Sequence, residues 1–209
     1  MSFKRNVFIN CPFDDAYRSL LQPLLFTVLY LDFNPLISET ESSGNVRVSE
    51  IIRRIKDSKY AIHDISRNEA LNPGDLPRFN MPYEMGLDIG CQTFSGSEKL
   101  KQKQCLILDR EKYRYQRFIS DIAGQDIKDH NDTPEILIKR VREWFTTILN
   151  IHLPSPTEIW EAYGEFWADT EEKLKRMRFT TDDINHLTFS DFILLFNEWI
   201  PNYKAARGV

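Results

Sequence analysis

The stretch RFNMPYEMGLDIG, residues 78–90, sets one carboxylate, Glu84, between a polar loop rich in Asn and Pro and a small-residue apolar run of helical character. A carboxylate there is either a working acid at a site or a residue that favours a helix start through the helix dipole. Asp64 is the second acid of interest, because it closes the apolar run YAIHDI at residues 60–65. Beside it His63 suggests a base with its orienting acid, but adjacent strand residues point to opposite faces, so the two are not expected to act as a dyad. The run DREKYRYQRF, residues 109–118, mixes arginines and tyrosines in a way that suits phosphates or bases, or else a solvated or subunit-contacting helix.

Short apolar runs alternate with segments of helical period. NVFIN (6–10), FNPLI (33–37), YAIHDI (60–65) and QCLIL (104–108) read as strands, with a weaker fifth near Gln125 to Lys128. Between them lie a helix capped by Asp14 or Asp15 with Leu20, Leu21, Leu24, Leu25 and Val28 on its apolar face, and another marked by Val46, Ile51, Ile52 and Ile55. Further helices are expected over Met81 to Phe94 and from Thr133-Pro134-Glu135 through Leu149. That order predicts an α/β fold: an open parallel sheet of about five strands with helices on both faces. After His152 the pattern changes at LPSPTE. Trp160, Tyr163, Phe166, Trp167 and Leu174, then Phe189, Phe192, Leu195, Phe196 and Trp199, recur at helical spacing. The expected division is therefore an α/β domain over 1–152 and a C-terminal helical extension over 153–209, its aromatic stripes packing on the sheet domain or on a second subunit.

In such a sheet a ligand sits beyond the carboxyl ends of the strands. The first strand delivers Asn10, Cys11, Pro12, Phe13 and Asp14 to that edge, and the second delivers residues 38–45. The third delivers His63, Asp64, Ser66 and Arg67 with the loop to Asn80, and Glu84 follows one turn into the next helix.

Charge and cysteine usage narrow the classes. With 27 basic against 31 acidic residues the formal charge is −4, so nucleic acid is not the expected partner. No apolar run approaches a membrane span and the N-terminus has no signal-peptide pattern, so a cytoplasmic protein is expected. Cys11, Cys91 and Cys105 are widely spaced in apolar contexts, which suits reduced thiols and suggests neither a disulfide framework nor a metal site.

Three segments carry a resemblance: VFINCPFDDAY, SKYAIHDIS and FNMPYEMGLDIG are similar to the signature segments of TIR-like domains and nucleoside 2-deoxyribosyltransferases. The similarity runs from residue 5 to about residue 110, and PYEMG resembles the segment whose glutamate meets the sugar. The resemblance implies a flavodoxin-like α/β fold and cleavage or rearrangement of an N-glycosidic bond in NAD or a related nucleotide, with NAD as substrate rather than cofactor. It also implies a setting in bacterial anti-phage defence or signalling, as a homo-oligomer with a defence-system partner. The first loop, N-C-P-F, departs from the serine- or glycine-rich loop of many TIR enzymes, which leaves the substrate open.

On this resemblance the catalytic residues are Glu84 and Asp64, with Glu84 acting as electrostatic stabiliser, ribose-hydroxyl acceptor or covalent nucleophile. Asp64 accepts from a ribose hydroxyl, orients Glu84 or caps a loop. Asn10 bonds a base or carboxamide, or closes its strand into a turn. Cys11, Pro12, Ser66 and Asn80 belong to the substrate-binding edge. Phe13 and Tyr83 stack on a base or pack, and Arg67 and Arg78 meet a pyrophosphate or stay solvated. Against the enzyme stands a second class, a catalytically silent nucleotide-sensing or interaction module using the same crevice.

Overall fold

The computed structural model describes residues 2–37, 47–69 and 78–208. The expected loop at 38–45 and the position Val46 lie outside the described residues. Five parallel strands form one open sheet: β1 (Asn6–Asn10), β2 (Asn34–Ile37), β3 (Tyr60–Asp64), β4 (Gln104–Asp109) and β5 (Ile127–Asp129). Their order is β2-β1-β3-β4-β5, the flavodoxin-like arrangement with its switch point between β1 and β3. β1 and β3 are buried at every position, as central parallel strands are, with apolar centres at Val7–Ile9 and Tyr60–Ile62 and buried polar residues Asn6, Asn10, His63 and Asp64 at their ends. Pro35 sits in β2, an edge strand, where a missing N–H is tolerated. The fifth strand falls slightly later than its sequence suggested, and is short and half-buried.

Helices α1 (Arg18–Tyr30) and α4 (Pro134–Leu149) cover one face, while α2 (Arg47–Asp57) and α3 (Asn80–Phe94) cover the other. Strand alternation sorts the core accordingly: Val7, Ile9, Tyr60 and Ile62 face α1 and α4, whereas Phe8 and Ala61 meet Ile51 and Ile55 of α2. The remaining helices are α5 (Pro156–Arg176), α6 (Thr181–Asn185) and α7 (Phe189–Arg207). α5 and α7 pack on α1, and their buried residues join the same core cluster as the sheet. That explains why α1, RSLLQPLLFTVLY, is apolar all round: one side meets the sheet and the other the C-terminal helices. Phe192 is fully buried, and Trp160, Trp167 and Trp199 are partly buried against this core. Arg18 ties the extension down, donating to the Leu187 carbonyl and lying 5.3 Å over the Phe189 and Phe192 rings.

Among the described residues no helix is long and apolar enough to cross a membrane.

Candidate functional site

The chain leaves β1 at Asn10 and turns through Pro12 to Asp14. Asp14 Oδ1 accepts from the Tyr17 N–H at 2.9 Å and so caps the turn that leads into α1. Its other oxygen accepts from Arg78 Nη1 at 2.8 Å, which joins the post-β1 loop to the approach to α3. Pro82 lies in the first turn of α3, where its missing N–H leaves no bond unmade. One turn in, Glu84 points back toward β1.

Between these segments is a cavity of about 370 Å³ lined by Cys11, Pro12, Phe13, Asp14, Arg47, Arg78, Asn80, Met81 and Glu84. It lies beyond the carboxyl end of β1, beside the switch point. Glu84 is only 5% exposed, and no described residue hydrogen-bonds its carboxyl. Burial pushes it from an ordinary 4.5 up to about 7, with the Arg47 guanidinium opposing the rise. A carboxyl poised near neutrality exchanges a proton readily in either direction. The neighbouring Cys11 thiol is driven well above its usual range by burial and by the charges of Asp64 and Glu84, so it is not a ready nucleophile.

Six of the expected site residues thus come together: Cys11, Pro12, Phe13, Arg78, Asn80 and Glu84. Asp64 does not line the cavity. It is fully buried on the α1 side of β3, opposite to α3, and cannot orient Glu84. Its carboxylate accepts from the Tyr17 hydroxyl and from the Ser66 N–H at 2.8 Å, and lies 3.0 Å from His130 Nε2. Burial alone would raise Asp64, but His130, Ser66 and Tyr17 outweigh it and hold the group below its ordinary value. His130 is raised in turn, because the Asp64 hydrogen bond and charge exceed the effect of burial.

Asn10 is likewise committed internally. Its Nδ2 donates to the Met81 carbonyl at 2.8 Å and meets His63 Nδ1 at 3.0 Å, so it pins the first turn of α3 instead of facing a ligand. Ser66 is buried outside the cavity lining, Arg67 reaches the Ala16 carbonyl at 3.5 Å, and Tyr83 points outward. His63 and Asp64 do face opposite sides. His63 Nε2 meets Asp88 Oδ2 at 3.1 Å, and since Nδ1 accepts from Asn10, the imidazole carries its proton on Nε2.

Three functional or supporting residues had little sequence signal. Arg47 opens α2 and lines the cavity; its place just after the ligand-edge loop was the available clue. Asp88 and Lys103 form a buried ion pair at 2.9 Å, and the Lys103 ammonium also donates to the carbonyls of Ile55 and Ser58 at 2.8 and 2.6 Å. Lys103 thereby closes the end of α2 and holds α3 to the sheet. His63, Asp88 and Cys105 lie close enough to hold a metal ion, but the Lys103 charge on Asp88 already supplies the neutralisation that an ion would bring.

Compared with known proteins, the sequence matches no family model and no curated protein.

Proposed function

We propose that this protein cleaves the N-glycosidic bond of NAD or a related nucleotide, with Glu84 against the sugar. One observation carries the reading: a buried carboxyl that no described residue hydrogen-bonds faces a cavity at the ligand edge of a flavodoxin-like sheet, with two arginines in the same lining. The resemblance of PYEMG to the glutamate segment of deoxyribosyltransferase-like enzymes points the same way.

Arg47 and Arg78 provide positive charge for the phosphates. A cationic pyridinium ring near Glu84 favours its ionised form, and the carboxylate then stabilises the positive charge that develops on the ribose as the ring departs as neutral nicotinamide. Water adds to the sugar and gives its proton to Glu84. On the same resemblance we read the activity as part of bacterial anti-phage defence or signalling.

The test is to incubate the purified chain with NAD and, separately, with deoxynucleosides, and to measure released base. Glu84→Gln keeps shape but removes the anion, and should slow release by about two to three orders of magnitude while leaving affinity nearly unchanged. Equal rates would reduce Glu84 to a helix residue. Tight nucleotide binding without cleavage would favour the sensing module.

A further inference from the structure

Of the two rings expected to meet a base, Tyr83 points outward, and among the described residues Phe13 alone brings an aromatic ring to the cavity lining. The backbone on either side of Phe13 is fixed. Pro12 precedes it, and Asp14 is held at both carboxylate oxygens, by the Tyr17 N–H and by Arg78. The Phe13 ring itself is only partly buried, and its one aromatic partner among the described residues comes from the C-terminal extension. That partner is Phe189, the first residue of α7, with centroids 6.0 Å apart and planes at 63°, the edge-to-face geometry that aromatic pairs favour.

Phe189 is anchored in turn. It is 5% exposed, and a capping box fixes the helix start around it: the Thr188 N–H donates to Asp191 Oδ2 at 2.8 Å, and the Asp191 N–H to Thr188 Oγ1 at 3.1 Å. Arg18 opens α1 directly after the turn that Asp14 caps. Its guanidinium lies 5.3 Å over the Phe189 ring and donates to the Leu187 carbonyl. The contacts close a circuit, from Phe13 along the chain to Arg18, across to Leu187 and Phe189, and back to Phe13. Residues 13 and 18 bracket the capped turn after β1, and both rest on the start of α7.

We propose that Phe189 is a positioning residue: acting through Phe13, it fixes the cavity wall formed by the post-β1 loop, so that the C-terminal extension completes the site. Without the Phe189 ring, Phe13 turns into the space left behind, and the loop from Cys11 to Asp14 loses its outer support. A flat wall orients a planar base against Glu84 only while its own rotamer is fixed. The effect on turnover rests on the N-glycosidase reading above, whereas the placement of the loop does not.

Two measurements on the full chain separate the placement of the loop from the activity. The first needs no substrate. Cys11 lies in the same loop as Phe13 and is 2% exposed, while Cys105 on β4 reports opening of the sheet. N-Ethylmaleimide labelling, read by peptide mass spectrometry, should speed up at Cys11 relative to Cys105 by at least about tenfold in Phe189→Leu. Phe192→Leu is the control for a merely structural role, because Phe192 is also buried beneath Arg18 but has its ring contacts with Trp167 and Phe196. It should leave that ratio within about twofold. Should Phe189→Leu fail to fold, Phe13→Leu removes the same contact from its partly buried side and should loosen Cys11 likewise.

The second measurement is base release from NAD. Phe189→Leu should lower kcat about tenfold with KM changed less than about threefold, and adding it to Phe13→Leu should slow the reaction no further. An unchanged Cys11 ratio in the folded variant, an equal change in Phe192→Leu, or an additive loss of kcat in the double variant overturns the proposal. A loosened Cys11 in a protein that releases no base leaves the positioning in place and removes the N-glycosidase reading instead.

Discussion

Glu84 is expensive to the fold. Its rise from 4.5 to about 7 corresponds to up to about 3 kcal/mol of destabilisation once the group is ionised. The sign follows from protonation: below about pH 4.5 both folded and unfolded forms are protonated and nothing is lost, and the loss accumulates as pH rises to about 7. Glu84→Gln should therefore raise stability by up to about 3 kcal/mol at about pH 8 and by almost nothing at about pH 4.5, measured by denaturant unfolding. An equal gain at both pH values would show that ionisation is not the cause. Asn10 makes the opposite case, a polar residue that stabilises. Asn10→Ala removes the bonds to the Met81 carbonyl and His63, leaves both buried acceptors short, and should cost about 2–4 kcal/mol in the same measurement.

At the scale of elements, α1 is the piece on which both halves of the chain depend. Phe26 meets Tyr163, Phe166, Phe196 and Trp199 with ring centroids 5.3 to 6.1 Å apart, so the outer face of α1 is covered by α5 and α7. Phe26→Ala should destabilise by about 3–5 kcal/mol, read by the shift in the urea midpoint. Truncation after Leu153 exposes this whole face and should give an insoluble or self-associating product; a soluble monomer with unchanged stability would show that the extension is dispensable. The extension also reaches the cavity, since Phe13 of its lining packs edge-on against Phe189 of α7, centroids 6.0 Å apart.

The whole molecule should be most stable on the mildly acidic side of neutrality. Asp64 and Asp88 are held below their ordinary values, so the stability they contribute is present above about pH 4 and lost as pH falls through their folded values. His130 is held above its ordinary value, so its contribution is complete below about pH 6.5 and lost as pH rises through its folded value. Glu84, raised by burial, adds to the loss as pH rises from about 4.5 to about 7, and Asp109, also raised by burial, loses stability as pH rises from about 4 through its folded value. The melting temperature should peak near about pH 5–6 and decline toward pH 8. His130→Gln should flatten the decline above about pH 6.5, while Glu84→Gln flattens the part below pH 7. A profile that both substitutions leave unchanged would assign the decline to other groups.

The sequence by itself determined the elements, because β-branched and apolar runs, the Asp14 cap, Pro134 at a helix start and the shift to helical spacing after His152 are local signals. It determined the parallel order as well, since strand-helix alternation leaves few ways to cover both faces of a sheet. It also brought the post-β1 loop and Glu84 to one edge, because both follow strands that end there. The tertiary structure decided which of those residues share a cavity. Asp64 and Asn10 stand at the same edge as Glu84, yet strand alternation sends Asp64 to the α1 face, and Asn10 spends its amide on the Met81 carbonyl and His63. The Asp64–His130 and Asp88–Lys103 pairs join residues 66 and 15 positions apart, and neither spacing corresponds to a local motif. Burial gave Glu84 its titration near neutrality, and burial is a property of the packed chain rather than of any segment of it.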